Sequence, residues 1–166
     1  MREHIAWRTL IWVNDLIYRV FMFVAAIAVT LIVVSVFYQV FGRYVLEIST
    51  PWPEEAAIFC LVWGAILGMA LGVRDHSHLV ADLLPENLGP LFDKLLPTLT
   101  HLVHLIIAIV FIRWGSSYAE MGLTRDSMTL GYTMFYMYVS VPICGVAILL
   151  FVTERFIDLW WPVEGK

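Results

Sequence analysis

The sequence predicts an all-α integral membrane protein: four transmembrane helices, short interfacial amphipathic helices, and both termini in the cytoplasm. Three observations predict it. Of 166 residues, 61% are hydrophobic and 14% charged, with a mean hydropathy of +0.83. Soluble domains run at about 45–50% apolar and about 25% charged, so the membrane class follows from composition alone. Four charge-free runs, Val20–Gly42, Ala56–Val73, Leu95–Ile112 and Ser127–Thr153, approach or exceed the roughly 20 residues a span requires. A lipid-exposed backbone must satisfy its own hydrogen bonds, which makes all four runs helices. Finally, Arg2, Arg8, Arg19, Arg74, Lys94, Arg155 and Lys166 fall on one side of these spans, against Arg43, Arg113 and Arg125 on the other. The positive-inside rule assigns the richer side to the cytoplasm.

The chain reads as one membrane domain, 1–166, with spans at about 20–42, 56–73, 95–112 and 127–153. Its N-terminal stretch mixes charges with apolar residues and has no signal-type cleavage site, which predicts a retained segment. Trp7, Leu10 and Ile11 recur at helical spacing there, predicting an amphipathic helix lying in the interface over about 4–16. Trp12, Trp52, Trp114, Trp160 and Trp161 mark further span boundaries as an aromatic belt. Between the second and third spans, Leu79, Val80, Leu83 and Leu84 face one way and Asp82 another, until Pro85, Gly89 and Pro90 break the pattern. A second interface-hugging segment is expected at about 78–94. No repeat or low-complexity tract is present.

The middle of every span lacks Asp, Glu, Lys and Arg. Charges at bilayer depth are costly and mark ion or proton routes, so the pattern argues against an autonomous pump. Pro142 and Gly145 interrupt only the last span, where a kink accounts for them. No basic cluster points to nucleic acid. Cys60 and Cys144 lie singly in apolar runs with no metal spacing, as buried structural thiols do, and equip a thiol enzyme poorly. His101 and His104 share a face of the third span. They could ligate haem, but no other span carries a mid-membrane histidine, and hydrogen bonds to neighbouring helices are the expectation. His76 and His78 read as headgroup-level polar residues.

The stretch "STPWPEEAAIFC" places Glu54 and Glu55 at the mouth of the second span. Either Thr50 caps a helix with Pro51 at its first position, or the helix begins at Pro53. In both cases the carboxylates sit near the positive end of the helix dipole. Trp52 sets the depth, and Arg43 is the nearest cation in sequence, expected to pair with one of them. Nothing acidic continues inward, so a structural role outweighs a proton or cation site.

Taken in order, Arg43, "WPEE", "LVWGAILGMALGVRDHSHLVAD" and "LGYTMFYMYVSVPICGVAILL" resemble the small, Q-type (DctQ-like) membrane subunit of tripartite ATP-independent periplasmic (TRAP) transporters. The resemblance covers nearly the whole chain. It rests on the W-x-E-E element, Trp63–Gly68, the H-x-x-x-D of His78 and Asp82 after Arg74, and Pro142 with Gly145. It implies a non-catalytic scaffold in a bacterial inner membrane, without substrate site, metal or cofactor of its own. It implies a large membrane partner of about a dozen helices that carries the substrate and sodium sites and moves as an elevator, and a periplasmic binding protein delivering an organic acid. Arg43, Trp52, Glu54, Glu55, Trp63, Gly68, Arg74, His78, Asp82, Pro142 and Gly145 are then structural and assembly positions, with membrane phospholipid around them. Gly64, Ala65, Gly68, Ala70 and Gly72 crowd the second span and predict close packing there, inside the unit or against the large subunit. The competing class is a haem- or quinone-binding membrane anchor of an oxidoreductase.

Overall fold

The computed structural model describes residues 2–48, 50–75 and 92–160. Helix α1 runs Arg2–Tyr44, α2 Trp52–Asp75 and α3 Phe92–Met121. A 3-10 turn at Gly122–Thr124 leads through an irregular loop to a short α4, Phe135–Tyr138, and α5 completes the fold over Ser140–Trp160. Four stretches, Arg8–Tyr44, Trp52–Asp75, Pro97–Thr124 and Phe135–Ile157, are long and apolar enough to cross a membrane. Among the described residues the β structure amounts to one isolated antiparallel bridge, Asp126 to Thr133.

Packing runs α1 on α2, α2 on α5 and α5 on α3. The last helix is therefore the centre of the unit, and α1 and α3 are its flanks. Its buried residues, Cys144, Ala147, Ile148, Phe151 and Val152, recur at helical spacing and meet Ala70 of α2 and Ala108 of α3. Lipid supplies no hydrophobic drive between helices, so such contacts rest on close packing. The flanks remain lipid-facing: Phe23 and Phe37 of α1 are each 68% exposed.

Two stretches differ from the sequence expectation. The N-terminal segment, expected to lie in the interface over 4–16, continues into the first span as one helix of 43 residues, about 65 Å at ~1.5 Å per residue. The cause is Asn14, a polar residue fully buried against α5. The fourth helix was expected from Ser127 but begins at Phe135. Absence of charge does not make a helix: Gly131 adopts φ +67°, Ser127 and Tyr132 pair across the turn, and residues 125–134 form a folded loop. The expected interfacial segment falls largely outside the described residues, as do His76, His78 and Asp82. Helix α3 begins at Phe92, three positions before the charge-free run.

Candidate functional site

Among the described residues, hydrogen bonds between side chains gather at the two ends of the unit, and each cluster ties elements together. At one end stands the first turn of α2. Helix α2 starts at Trp52, between the two starts the prolines allowed, with Pro53 buried and both glutamates in its first turn. The glutamates separate at once, because residues adjacent in a helix point about 100° apart. Glu55 turns toward the loop after α3, where its carboxylate accepts hydrogen bonds from Ser127 Oγ, from Thr129 N at 3.0 Å and from Leu130 N at 3.1 Å. Ser127 Oγ itself accepts from Leu130 N at 3.1 Å. Backbone N–H groups of an irregular loop are thereby satisfied by an ionised acceptor, the stronger kind of hydrogen bond, which Leu130 N shares with Ser127 Oγ.

Glu54 points to α1 and accepts from Gln39 Nε2 at 3.3 Å. The expected partner, Arg43, is exposed in the last turn of α1, and among the described residues the ion pair is made elsewhere. Arg43 lies one helical turn beyond Gln39, on the same face of α1, and Gln39 is the α1 side chain that reaches Glu54. Trp52 packs on Tyr38 of α1 with ring centroids 5.2 Å apart. Further down α2, Phe59 meets Tyr132 edge-on at 5.2 Å, and Trp63 Nε1 donates to the Tyr136 carbonyl at 3.1 Å. The loop thus lies along the first three turns of α2. Burial first, and the Glu55 charge second, push the Tyr132 phenol above its usual range.

At the opposite end Arg74, in the last turn of α2, reaches α1. Its Nη1 donates to the Asn14 carbonyl at 2.8 Å and its Nη2 pairs with Asp15. Its guanidinium lies over Tyr18, 4.8 Å from the ring centroid, and near Phe151 of α5 at 5.3 Å. A planar, weakly hydrated guanidinium suits this combined stacking and forked bonding. Asn14 Nδ2 donates to the Leu150 carbonyl at 3.2 Å and to Glu154 at 2.6 Å. Tyr18 donates to Asp75 at 3.3 Å. Three helices meet in this cluster.

Between the two ends, contact is made by backbone approach. A methyl group on Gly145 of α5 would sit 2.9 Å from Phe111 Cβ and 3.0 Å from the Ala108 carbonyl of α3. One on Gly115 would meet Val141 at 2.9 Å and Pro142 N at 3.1 Å, and one on Gly122 would meet Phe135 N at 2.7 Å. Gly145 is therefore a packing residue, where the sequence suggested a kink. The interruption lies earlier, at Val139 between α4 and α5. It falls where Pro142 has no N–H for the Tyr138 carbonyl. On α2, Ala70 is buried and Gly64 faces Ala28, whereas Ala65 and Gly68 face outward, with no atom within 4 Å of a Gly68 methyl.

His101 and His104 direct Nδ1 to carbonyls of their own helix, Pro97 at 2.5 Å and Thr100 at 2.8 Å, in place of the neighbouring-helix partners expected. Cys60 and Cys144 are buried free thiols, and Cys144 Sγ lies 3.2 Å from the Ile66 carbonyl. Among the described residues no three His, Cys, Asp or Glu side chains stand together as a metal site. Sequence reasoning missed Asn14, Gln39, Ser127, Gly115 and Gly122. The glycines had a signal, a seven-residue spacing that repeats one helix face. Ser127 had none.

The family described as "Tripartite ATP-independent periplasmic transporters, DctQ component" matches residues 32–161. A TRAP transporter small permease protein of Haemophilus influenzae is 21% identical over 126 residues, 75% of this chain and 76% of that one. The sialic acid TRAP transporter small permease protein SiaQ of Vibrio cholerae is 25% identical over 127 residues, 74% of this chain and 70% of its own. A second small permease protein of Haemophilus influenzae is 22% identical over 125 residues, covering 75% and 78%.

Proposed function

The chain belongs to the DctQ component of tripartite ATP-independent periplasmic transporters and is a small permease subunit, multi-pass in the bacterial inner membrane; from this we infer that it is a static, non-catalytic scaffold. In this reading it stands beside a large membrane subunit whose transport domain moves as an elevator. A periplasmic binding protein supplies an organic acid, and sodium drives the uptake. The termini and the Arg74 end face the cytoplasm, and the Glu55 end faces outward.

One observation carries the scaffold reading. Polar side chains pin the helices to one another at both ends, Glu55 to the 127–130 loop and Arg74 with Asn14 across α1, α2 and α5. The apolar middles between them carry no ionisable group of Asp, Glu, Lys or Arg. An element built to move needs a stretch that can part, and a carrier needs polar groups at depth. A scaffold needs neither. Trp52, Glu54, Glu55, Trp63 and Arg74 hold the unit, and Pro142 and Gly145 shape its central helix. Arg43 and Gly68 face outward, where the large subunit can reach them. His78 and Asp82 are assigned to the same assembly role by the resemblance alone. Family membership displaces the oxidoreductase-anchor alternative.

The test is reconstitution. Proteoliposomes holding both membrane subunits and the binding protein should take up substrate only with a sodium gradient. Cross-linking α1 to α2 of this chain should leave the rate unchanged, because nothing within it moves. Loss of uptake on that cross-link, or full uptake by this chain without the large subunit, sinks the scaffold reading.

A further inference from the structure

At the Arg74 end, between α1, α2 and α5, lies an open recess of about 430 Å³ lined by Asp15, Tyr18, Arg19, Arg74, Asp75 and Arg155. Its acids are already engaged. Asp15 pairs with Arg74 and Asp75 accepts from Tyr18 at 3.3 Å. Arg74 is held over the rings of Tyr18 and Phe151, so it forms a fixed wall. Arg19 from α1 and Arg155 from α5 face the same space, and among the described residues neither has a carboxylate partner at salt-bridge distance. Three guanidinium groups here face two carboxylates, Asp15 against Arg74 and Asp75 against the neutral Tyr18 phenol, so the recess keeps an excess of positive charge that an anion would offset.

Depth identifies the anion. Arg19 directly precedes the apolar run from Val20, Arg74 directly follows the run ending at Val73, and Arg155 follows Thr153 by two positions. All three mark the point where hydrocarbon gives way to headgroups. Below them α1 offers exposed Val20 and Phe23 to lipid chains. Basic pockets between transmembrane helices at this level take phosphate headgroups, and guanidinium matches phosphate in two-pronged geometry.

We propose that this recess binds the phosphate of an anionic phospholipid, held by Arg19 and Arg155 against the Arg74 wall. The lipid thereby clamps the far ends of α1 and α5, which otherwise meet through Asn14 and its neighbours. The test of this site needs no transport assay, so it stands or falls apart from the scaffold reading.

The experiment is native mass spectrometry of the full chain in mild detergent, titrated with phosphatidylglycerol or phosphatidylcholine. One phosphatidylglycerol should be retained per chain in preference to phosphatidylcholine. The double variant Arg19→Gln/Arg155→Gln should lose about thirtyfold in affinity and each single variant about fivefold, taking one arginine's share for each. Arg8→Gln, about 16 Å away along α1, should bind as the native chain does. If the double variant does not keep the native helical spectrum, Arg19→Lys/Arg155→Lys and the two single variants decide: the lysine pair should keep most of the binding and each single glutamine should weaken it. Equal retention of both lipids, or undiminished phosphatidylglycerol binding by the glutamine variants, overturns the site. Inorganic phosphate binding as tightly as the lipid overturns the lipid assignment and leaves a soluble-anion site.

Discussion

Glu55, in the first turn of α2, closes on Ser127 of the loop after α3, 72 positions along the chain. The same carboxylate takes the N–H groups of Thr129 and Leu130, while its neighbour Glu54, among the described residues, accepts from a side-chain amide of α1, Gln39 at 3.3 Å. Two adjacent glutamates therefore do unequal work. Glu55→Ala should free the loop at a cost of about 1–2 kcal/mol, near the low end for charge-assisted bonds because the site is partly exposed. Glu55→Gln should cost less, since an amide oxygen still accepts, and Glu54→Gln should cost under about 0.5 kcal/mol. The check is limited trypsin digestion in detergent: cleavage after Arg125, at the head of this loop, should accelerate in Glu55→Ala and stay at the native rate in Glu54→Gln.

Tyr132 reports on the same carboxylate. Its phenol is pushed up by burial first, then by the Glu55 charge, with Cys60 and Tyr138 adding to it. A phenol raised in the folded state favours its neutral form there. That contribution to stability is complete below the unfolded value of about 10 and is lost as the pH rises through the folded value. Replacing Glu55 by Gln removes one of the charges that oppose ionisation. The phenolate of Tyr132, read as the absorbance difference between the chain and its Tyr132→Phe variant, should then form at lower pH than in the native protein. An unchanged titration would separate Tyr132 from Glu55.

At the other end, Arg74→Lys should not replace arginine. Lysine offers a point charge, whereas the guanidinium bonds the Asn14 carbonyl and Asp15 while stacking over Tyr18. Arg74 is 15% exposed and Asp15 44%, so solvent screens part of the pair. Arg74→Ala is expected to destabilise by about 1–2 kcal/mol, with Arg74→Lys in between. Asn14→Ala, at a fully buried position, should cost about 2 kcal/mol and leave Glu154 without its donor. Spin labels at the start of α1 and on α5 should show a broadened distance distribution in Asn14→Ala alone, because that side chain bridges the two helices.

Hydropathy carried the architecture, since a bilayer makes span length and charge placement decisive. Its failures have physical causes. Trp7, Leu10 and Ile11 make the N-terminal segment look interfacial, and one buried asparagine turns it into a continuation of the first span. A charge-free run from Ser127 met the length for a helix, yet its serine, threonine and glycine form a folded loop whose N–H groups need Glu55. Which distant groups a carboxylate will meet is set by packing and leaves no trace in local spacing. Arg43 was the nearest cation in sequence to Glu54 and Glu55, but Gln39 takes Glu54 and the 127–130 loop takes Glu55, and nearness along the chain does not show such partners.

The glycines of the spans give the sharpest contrast, because residue type alone does not separate their roles. Gly145→Ala puts a methyl 2.9 Å from Phe111 Cβ and 3.0 Å from a backbone carbonyl. The backbone cannot yield as a flexible side chain would, so α3 and α5 must part at a cost of about 1–3 kcal/mol. Gly115→Ala meets Pro142 N at 3.1 Å and should behave alike. Gly68→Ala meets no atom within 4 Å, and alanine is the better helix former by about 1 kcal/mol. The isolated chain should therefore unfold at a higher temperature in Gly68→Ala and a lower one in Gly145→Ala, measured by thermal denaturation in the same detergent. If Gly68→Ala is instead destabilised in the isolated chain, α2 has a neighbour on that face within the unit, and the packing order α1–α2–α5–α3 is wrong at that point.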